Sequence, residues 1–521
     1  MPAPMRYHAP PKKEWGDHMD VIVHGQDGDI RLIEAEAGQT LLEALREGGE
    51  ALLAPCGGIG TCGKCRVLVR DKAGTSYRLA CRTNVAAGME VLPDDLGTLP
   101  VAGSEATTAS GPATQGESDR RLGLAVDVGT TTLALHLVDL DSRLIVASVG
   151  KVNPQVAFGG DVVARIAAAS AAEGLEALCS SLRGGLDDAL AALGLSAGQS
   201  VGWQDLERVA GNTVMEHFAT GLDPKPIGTF PFAPFALFGN ECNLWQPHDC
   251  DEPPVRAYLA PAVAGYVGGD VTAGLHISDM AASPALQLYL DVGTNGEMAL
   301  GNSERIVCCA TAAGPAFEGA GITLGMPALS GAVSAVALEG DGLAIATVGG
   351  AEPVGICGSG LLDAVACLLE LGIVDETGRL LEAGEVGPRL AWRLGTEQEQ
   401  RVCYLDAEKR VYLTQGDVRG VQLAKAAIRA GIDTLMDEMH VSYDDVRRIA
   451  LAGGFGAHLS AASAARIGLL PAALEHKVDL LGNAAGKGAV AALFPEGRAA
   501  LESVAASCSH VELSTSPTFA G

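Results

Sequence analysis

Four cysteines, Cys56, Cys62, Cys65 and Cys81, fall close together, the first three inside CGGIGTCGKC and the last in RLACRT. The spacing C-x5-C-x2-C-x15-C offers four thiolates, the ligand set of a [2Fe-2S] cluster. Cluster sulfides accept backbone N–H groups, and a chain with little Cβ bulk can wrap them closely, as Gly57, Gly58, Gly60 and Gly63 allow. Zinc is the rival occupant. A zinc ribbon or finger normally presents two short paired-ligand knuckles, and here Cys81 stands alone.

The elements needed to hold those cysteines are written on either side of them. MDVIVHG and DIRLIEAEAG alternate like a hairpin, TLLEALREGG has helical spacing, and RVLVR after the cysteine loop reads as a strand. Hairpin, helix, cysteine loop and strand in that order resemble the β-grasp [2Fe-2S] ferredoxins. An electron-transfer domain is expected over 19–95, after a flexible tail at 1–18. Residues 96–120 are small and polar without apolar periodicity, a tether. No clean G-x-G-x-x-G follows a strand downstream, which disfavours a conventional flavin or nicotinamide reductase.

A second chemistry begins at 122–140, LGLAVDVGTTTLALHLVDL. An apolar strand ends in Asp127, turns through Gly129, Thr130, Thr131 and Thr132, and re-enters a strand. LYLDVGTNGEMALG at 288–301 repeats the design with Asp291, Gly293, Thr294, Asn295 and Glu297. A glycine turn lets successive N–H groups and hydroxyls hold phosphate oxygens, and a strand-end aspartate can bind Mg²⁺ directly or through water. One such segment reads equally well as a plain hairpin; two suggest related lobes facing each other. In RRIALAGGFGAHL at 447–459, Gly453, Gly454 and Phe455 follow a short apolar strand, where glycines permit close approach of adenine and ribose.

Other polar runs have plainer readings. Asn212, Thr213, Glu216 and His217 read as a satisfied capping and packing set, with cleft lining as the alternative. QGDVRGVQLAKAAIRAGIDTL is amphipathic at helical spacing, a core-lining helix with Lys425 and Arg429 on one face and Gln415 and Asp417 at its cap, near a nucleotide in the functional reading. The remaining cysteines (Cys179, Cys242, Cys250, Cys308, Cys309, Cys357, Cys367, Cys403 and Cys508) read as buried small hydrophobes.

Composition sets outer limits. The 521 residues suit about three domains, and 67 glycines with 4% aromatics favour tightly turned α/β architecture over a sandwich. A formal charge of −27 opposes nucleic acid and anionic lipid partners. No apolar run reaches the roughly 18–20 residues of a membrane span, and the start carries no secretory pattern, so a cytoplasmic location is expected.

The three strand-turn segments together resemble the phosphate-1, phosphate-2 and adenosine segments of the actin, sugar kinase and Hsp70 ATPase superfamily. Ferredoxin domain, tether and that ATPase in one chain resemble the reductive activators of corrinoid-dependent enzymes over 19 to about 515. NPQVAFGGDVVARI, GNTVMEHF, AGYVGGDVTAG, TAAGPAFEGAGITLGM, GICGSGLLDA and GNAAGKGA agree with it. The resemblance implies a multi-domain α/β chain whose two-lobed, ribonuclease H-like ATPase comprises a middle domain at 121–254 and a C-terminal domain at 255–521. It implies ATP-dependent reduction of Co(II) to Co(I) in a corrinoid-binding protein of a methyltransferase system, with an upstream electron donor, and a homodimer. The cysteines hold the cluster. Asp127 and Asp291 serve Mg²⁺ and water, the Thr130–Thr132 and Thr294-Asn295 turns grip phosphates, Glu297 orders water, and Gly453 to Phe455 meet the adenosine. Low-potential electron delivery to another enzyme and a redox-sensing nucleotide clamp are the competing readings.

Overall fold

The computed structural model describes residues 18–24, 30–36, 38–48, 65–71, 74–86, 88–92, 121–197, 206–245, 255–319, 321–340, 342–453 and 459–520. They fall in two compact units. In the first, β1 (His18–His24) pairs antiparallel with β2 (Ile30–Glu36), as the alternating pattern requires, and α1 (Leu41–Glu47) follows. Then β3 (Arg66–Asp71) and β4 (Gly74–Leu79) form a second hairpin, and β5 (Met89–Leu92) enters between the hairpins, parallel to β1. The sheet order is β2-β1-β5-β3-β4. Val21, Ile33, Leu41, Leu42, Leu45, Met89 and Val91 are all buried. Helix α1 starts sharply because Thr40 and Glu43 form a reciprocal capping box.

The second unit holds two sheets of matching design. The first lobe runs through β6 (Leu122–Val128), β7 (Thr132–Asp139), β8 (Ile145–Val152), α2 (Val162–Ala169), α3 (Gly174–Ala197), β9 (Leu206–Gly211), α4 (Thr213–Thr220), β10 (Glu241–Trp245), β11 (Val255–Leu259) and α5 (Gly269–Ile277). Strands β6, β7 and β8 form an antiparallel meander, and β9 and β11 extend it in parallel on the other side. Because Val255–Leu259 pairs inside this sheet, the first lobe continues beyond the residue-254 division expected from the sequence.

The second lobe repeats the plan with β12 (Gln287–Val292), β13 (Gly296–Gly301) and β14 (Ile306–Thr311). An insertion follows, comprising β15 (Ala332–Glu339), β16 (Gly342–Thr347), β17 (Gly355–Ile356), α6 (Gly358–Glu370), β18 (Leu394–Glu397), β19 (Gln400–Tyr404), β20 (Tyr412–Thr414) and α7 (Gln415–Met439). The lobe closes with β21 (Arg448–Ala452), α8 (Ala461–Arg466), β22 (Val478–Gly482), α9 (Ala484–Ala491), α10 (Pro495–Ser507), β23 (Cys508–His510) and α11 (Pro517–Ala520). Its sheet order, β22-β21-β12-β13-β14-β23, matches β10-β11-β9-β6-β7-β8 in placing a parallel strand pair beside the first strand of the meander, but it adds β23 in parallel at the far edge, and β10 closes the first sheet antiparallel to β11.

Helices α5 and α9 pack against each other between the sheets, with Ala125, Ala210, Ala273 and Ala489 in one buried layer. Small residues allow this close approach. A Cβ on Gly488 would overlap Ala273. The outer face of the first sheet is covered instead by larger groups, Leu178, Leu182 and Leu186 of α3 against Leu133, Leu135 and Leu137. Of the cysteines read as core, Cys308, Cys309, Cys357 and Cys403 are buried, whereas Cys179, Cys242, Cys367 and Cys508 are only half-buried; Cys250 lies outside the described residues.

Candidate nucleotide site and cluster ligands

The two glycine turns meet. In the first, the Gly129 N–H donates to the Thr132 carbonyl at 3.0 Å, and a Cβ on Gly129 would sit 2.6 Å from that same oxygen. Only glycine fits there. Three side chains brace the turn from behind: Asn153 Nδ2 donates to the Gly129 carbonyl (2.9 Å), Arg165 Nη2 to the Thr130 carbonyl (2.6 Å), and Asn212 Nδ2 to Thr130 Oγ1 (2.9 Å). Thr132 is spent as the first residue of β7. In the second turn the Gly293 N–H donates to the Asn295 carbonyl at 2.9 Å. Thr131 Oγ1 and Thr294 Oγ1 then lie 3.5 Å apart, one from each lobe, and both donate to Glu318 Oε2, at 3.0 and 2.8 Å.

Five carboxyl groups surround this meeting point: Asp127, Asp270, Asp291, Glu297 and Glu318. Burial, followed by the charge of Asp291, pushes Asp127 up to about 7 against a hydrogen bond from Asn483. Burial also lifts Asp291 to about 6, with Tyr289 opposing and Glu318 adding to the rise. Asp270, in the first turn of α5, goes to about 8 through burial and the charges of Asp291 and Asp127. Glu297 is held well above the usual carboxylate range by burial, Asp270 and Asp291, and Glu318 is raised by burial against hydrogen bonds from Thr294 and Thr131. Crowded, half-desolvated oxygen donors of one sign suit a hard divalent cation, which would relieve their mutual repulsion. Among the described residues no three of these side chains are placed to enclose an ion by themselves, so Mg²⁺ would fit here with its shell completed by water and phosphate oxygens.

Gly453 follows β21, whose last residue pairs with Asp291. Its φ is +91°, and a Cβ there would lie 2.5 Å from Asp291 Oδ1. This glycine makes room for the aspartate. Gly454 and Phe455 lie outside the described residues.

Several participants escape a sequence reading. Asp270 and Glu318 sit inside AGYVGGDVTAG and TAAGPAFEGAGITLGM, but only the fold carries them to the turns. Arg165 is fully buried, and desolvation pulls its guanidinium down to about 10. The capping set holds in part. Asn212 caps α4 and Thr213 Oγ1 donates to the Ala264 carbonyl, whereas neither carboxyl oxygen of the fully buried Glu216 has a hydrogen-bond partner among the described residues. Gln415 and Asp417 are consumed structurally: Gln415 binds the Leu380 N–H and the Gly378 carbonyl, and Asp417 accepts from Thr414 and Thr323. Lys425 donates to the Ile467 carbonyl, and Arg429 pairs with Asp433.

In the first unit the β3–β4 hairpin brings its two ends together, placing Cys65 just before β3 and Cys81 just after β4. The Cys81 N–H donates to Cys65 Sγ at 3.3 Å, the kind of amide–sulfur contact a cluster ligand receives. Both cysteines are buried. They fit the cluster; Cys56 and Cys62 lie outside the described residues.

Comparison with known proteins agrees with both halves. Residues 25–86 match the 2Fe-2S iron-sulfur cluster binding domain, 122–283 the RACo middle region, and 285–521 the C-terminal domain of RACo, the ASKHA domain. The corrinoid activation enzyme RamQ of Eubacterium limosum is 32% identical over 409 residues, 76% of this chain and 68% of that protein. The [Co(II) methylated amine-specific corrinoid protein] reductase of Methanosarcina barkeri is 32% identical over 235 residues, 41% of this chain and 40% of its own length. The solved structure of a reductive activator for corrinoid, iron-sulfur protein superposes with a TM-score of 0.68 at 28% identity, over 96% of this chain and 97% of that one. With a cluster-binding unit, two matched lobes and a relative shared over most of its length, the chain belongs to the family of reductive activators of corrinoid proteins.

Proposed function

We propose that this chain uses MgATP to drive one electron onto the cobalt of a corrinoid protein in a methyltransferase system, taking Co(II) to Co(I). The observation that carries the ATP half is the convergence of Thr131 and Thr294, one hydroxyl from each lobe, beside the carboxylates Asp127, Asp270 and Asp291. Asp127 and Asp291 hold Mg²⁺, the two turns hold phosphates, and Asp270 with Glu297 orients the attacking water. Gly453, Gly454 and Phe455 flank the adenosine. Cys56, Cys62, Cys65 and Cys81 hold the [2Fe-2S] cluster, which when bound supplies one electron at roughly −400 mV.

A cobalt couple lying about 150 mV lower would oppose transfer by ~3.5 kcal/mol. Differential nucleotide affinity for two lobe arrangements is large enough to offset that. The electron reaches the cluster from a separate low-potential donor. Absence of a membrane-length apolar helix among the described residues agrees with action in the cytoplasm, and a homodimer is the working assembly. The test is direct: reduced protein is mixed with a Co(II) corrinoid protein, with and without MgATP. Appearance of the Co(I) absorption band only with MgATP supports the reading, and equal bands in both samples overturn it.

A further inference from the structure

Glu318 stands where a ligand would be expected. Its Oε2 accepts hydrogen bonds from Thr131 Oγ1 of the first lobe and Thr294 Oγ1 of the second, the two hydroxyls that the turn geometry offers to a phosphoryl oxygen. An anionic oxygen between two O–H donors is the arrangement a bound phosphate would adopt. The carboxylate is also crowded by charges of its own sign, since Glu318 raises Asp291. It belongs to a short helical turn, Pro315–Glu318, with Gly314 before it at φ +81° and Gly319 after it at φ +74°. Such backbone pivots as only glycine adopts freely border the turn on both sides.

The geometry points to Glu318 as an internal stand-in for a nucleotide phosphate: in the nucleotide-free protein its carboxylate fastens the two turns together, and the incoming triphosphate must displace it. This inference rests on the ATPase reading above and adds to it. Glu318 is a positioning residue. It reports to both lobes whether the phosphate site is filled, because the clasp between Thr131 and Thr294 passes from a protein oxygen to a ligand oxygen on binding. The apparent affinity for nucleotide is reduced by the fraction of molecules in which Glu318 occupies the turns.

Three substitutions separate displacement from simple charge. Glu318→Ala removes both the oxygen and the charge, Glu318→Gln keeps an acceptor oxygen without the charge, and Glu318→Asp keeps the charge but is one methylene short of the turns. Binding of a non-hydrolysable MgATP analogue to the full-length protein is measured by calorimetry, with circular dichroism to verify folding. Displacement predicts that Glu318→Ala binds about tenfold tighter than the wild type, Glu318→Asp several-fold tighter, and Glu318→Gln least changed. Equal tightening by Ala and Gln with no change in Asp would assign the effect to charge alone and overturn the proposal. Weaker binding by Ala and Asp would make Glu318 a ligand-holding group and overturn it too. If the alanine variant does not fold, the Asp and Gln pair decides by the same ordering. Wild-type protein that binds no analogue at all refutes the ATPase reading itself, an outcome separate from any ranking of the variants.

Discussion

Asp291 and Glu297 face each other across the β12–β13 hairpin, whereas Asp127, at the matching place in the first hairpin, faces Ala134. The lobes share a plan, but the second concentrates acid. Asp291→Asn should lower ATP turnover by at least about 100-fold, with Asp270→Asn in the same range and Glu297→Gln nearer about tenfold. In metal-free protein, Asp291→Asn should raise the melting temperature, because it removes a crowded charge while keeping an acceptor for Tyr289. Steady-state phosphate release and differential scanning fluorimetry check both halves. Lower activity joined to lower stability would make Asp291 a structural group.

Arg165 anchors the first turn through the Thr130 and Gly159 carbonyls from a fully buried position. Arg165→Met leaves those oxygens without donors and should destabilise the first lobe by about 3 kcal/mol. The KM for ATP should rise because the turn loses its brace. Urea unfolding followed by far-ultraviolet circular dichroism, with ATP titration of the folded fraction, tests this.

His136 supplies a pH dependence away from the carboxylates. Burial holds its imidazole down to about 4; Nδ1 pairs with Ser148 Oγ, and Nε2 has no hydrogen-bond partner among the described residues. The unfolded chain binds more protons than the native one between its ordinary value near 6.5 and about 4. Stability from this group is therefore present above about pH 6.5 and is lost as pH falls toward 4. His136→Gln should flatten that part of the melting curve between pH 7 and pH 5, measured at about half-unit steps; an unchanged slope would place the acid sensitivity elsewhere.

Replacing Cys81 by serine should abolish the visible absorption of protein reconstituted anaerobically with iron and sulfide, while nucleotide affinity stays within about twofold of wild type. The residues proposed to hold nucleotide all belong to the second unit. Absorption spectroscopy and calorimetry on one preparation separate the two functions. A Cys81→Ser protein that keeps a full [2Fe-2S] spectrum would remove this cysteine from the ligand set.

The sequence discloses those parts of the site that are local in the chain. A glycine turn between apolar strands announces itself, so Asp127, Thr131, Asp291 and Thr294 are legible before any fold is known. Asp270 and Glu318 are not, because an acid in a helix's first turn or a short helical turn looks solvated until sheet stacking brings it inward. Arg165 hides for the opposite reason: an arginine in an alanine-rich helix reads as surface, and its burial depends on carbonyls contributed by distant turns. The acidic, proline-ended stretch HDCDEPP imitates a domain break, yet the chain returns to pair Tyr258 with Arg208 in the sheet it had left.

Asn483 begins α9 in the second lobe and bonds Asp127 of the first, while Asp270 begins α5 in the first lobe and presses on Asp291 of the second. Each half thus finishes the other's pocket, so a gene cut between the lobes would yield two inert fragments. On the proposed placement of ATP, any torsion of one sheet against the other would reach both ends of the triphosphate at once, and the fuel would enter this molecule as a twist.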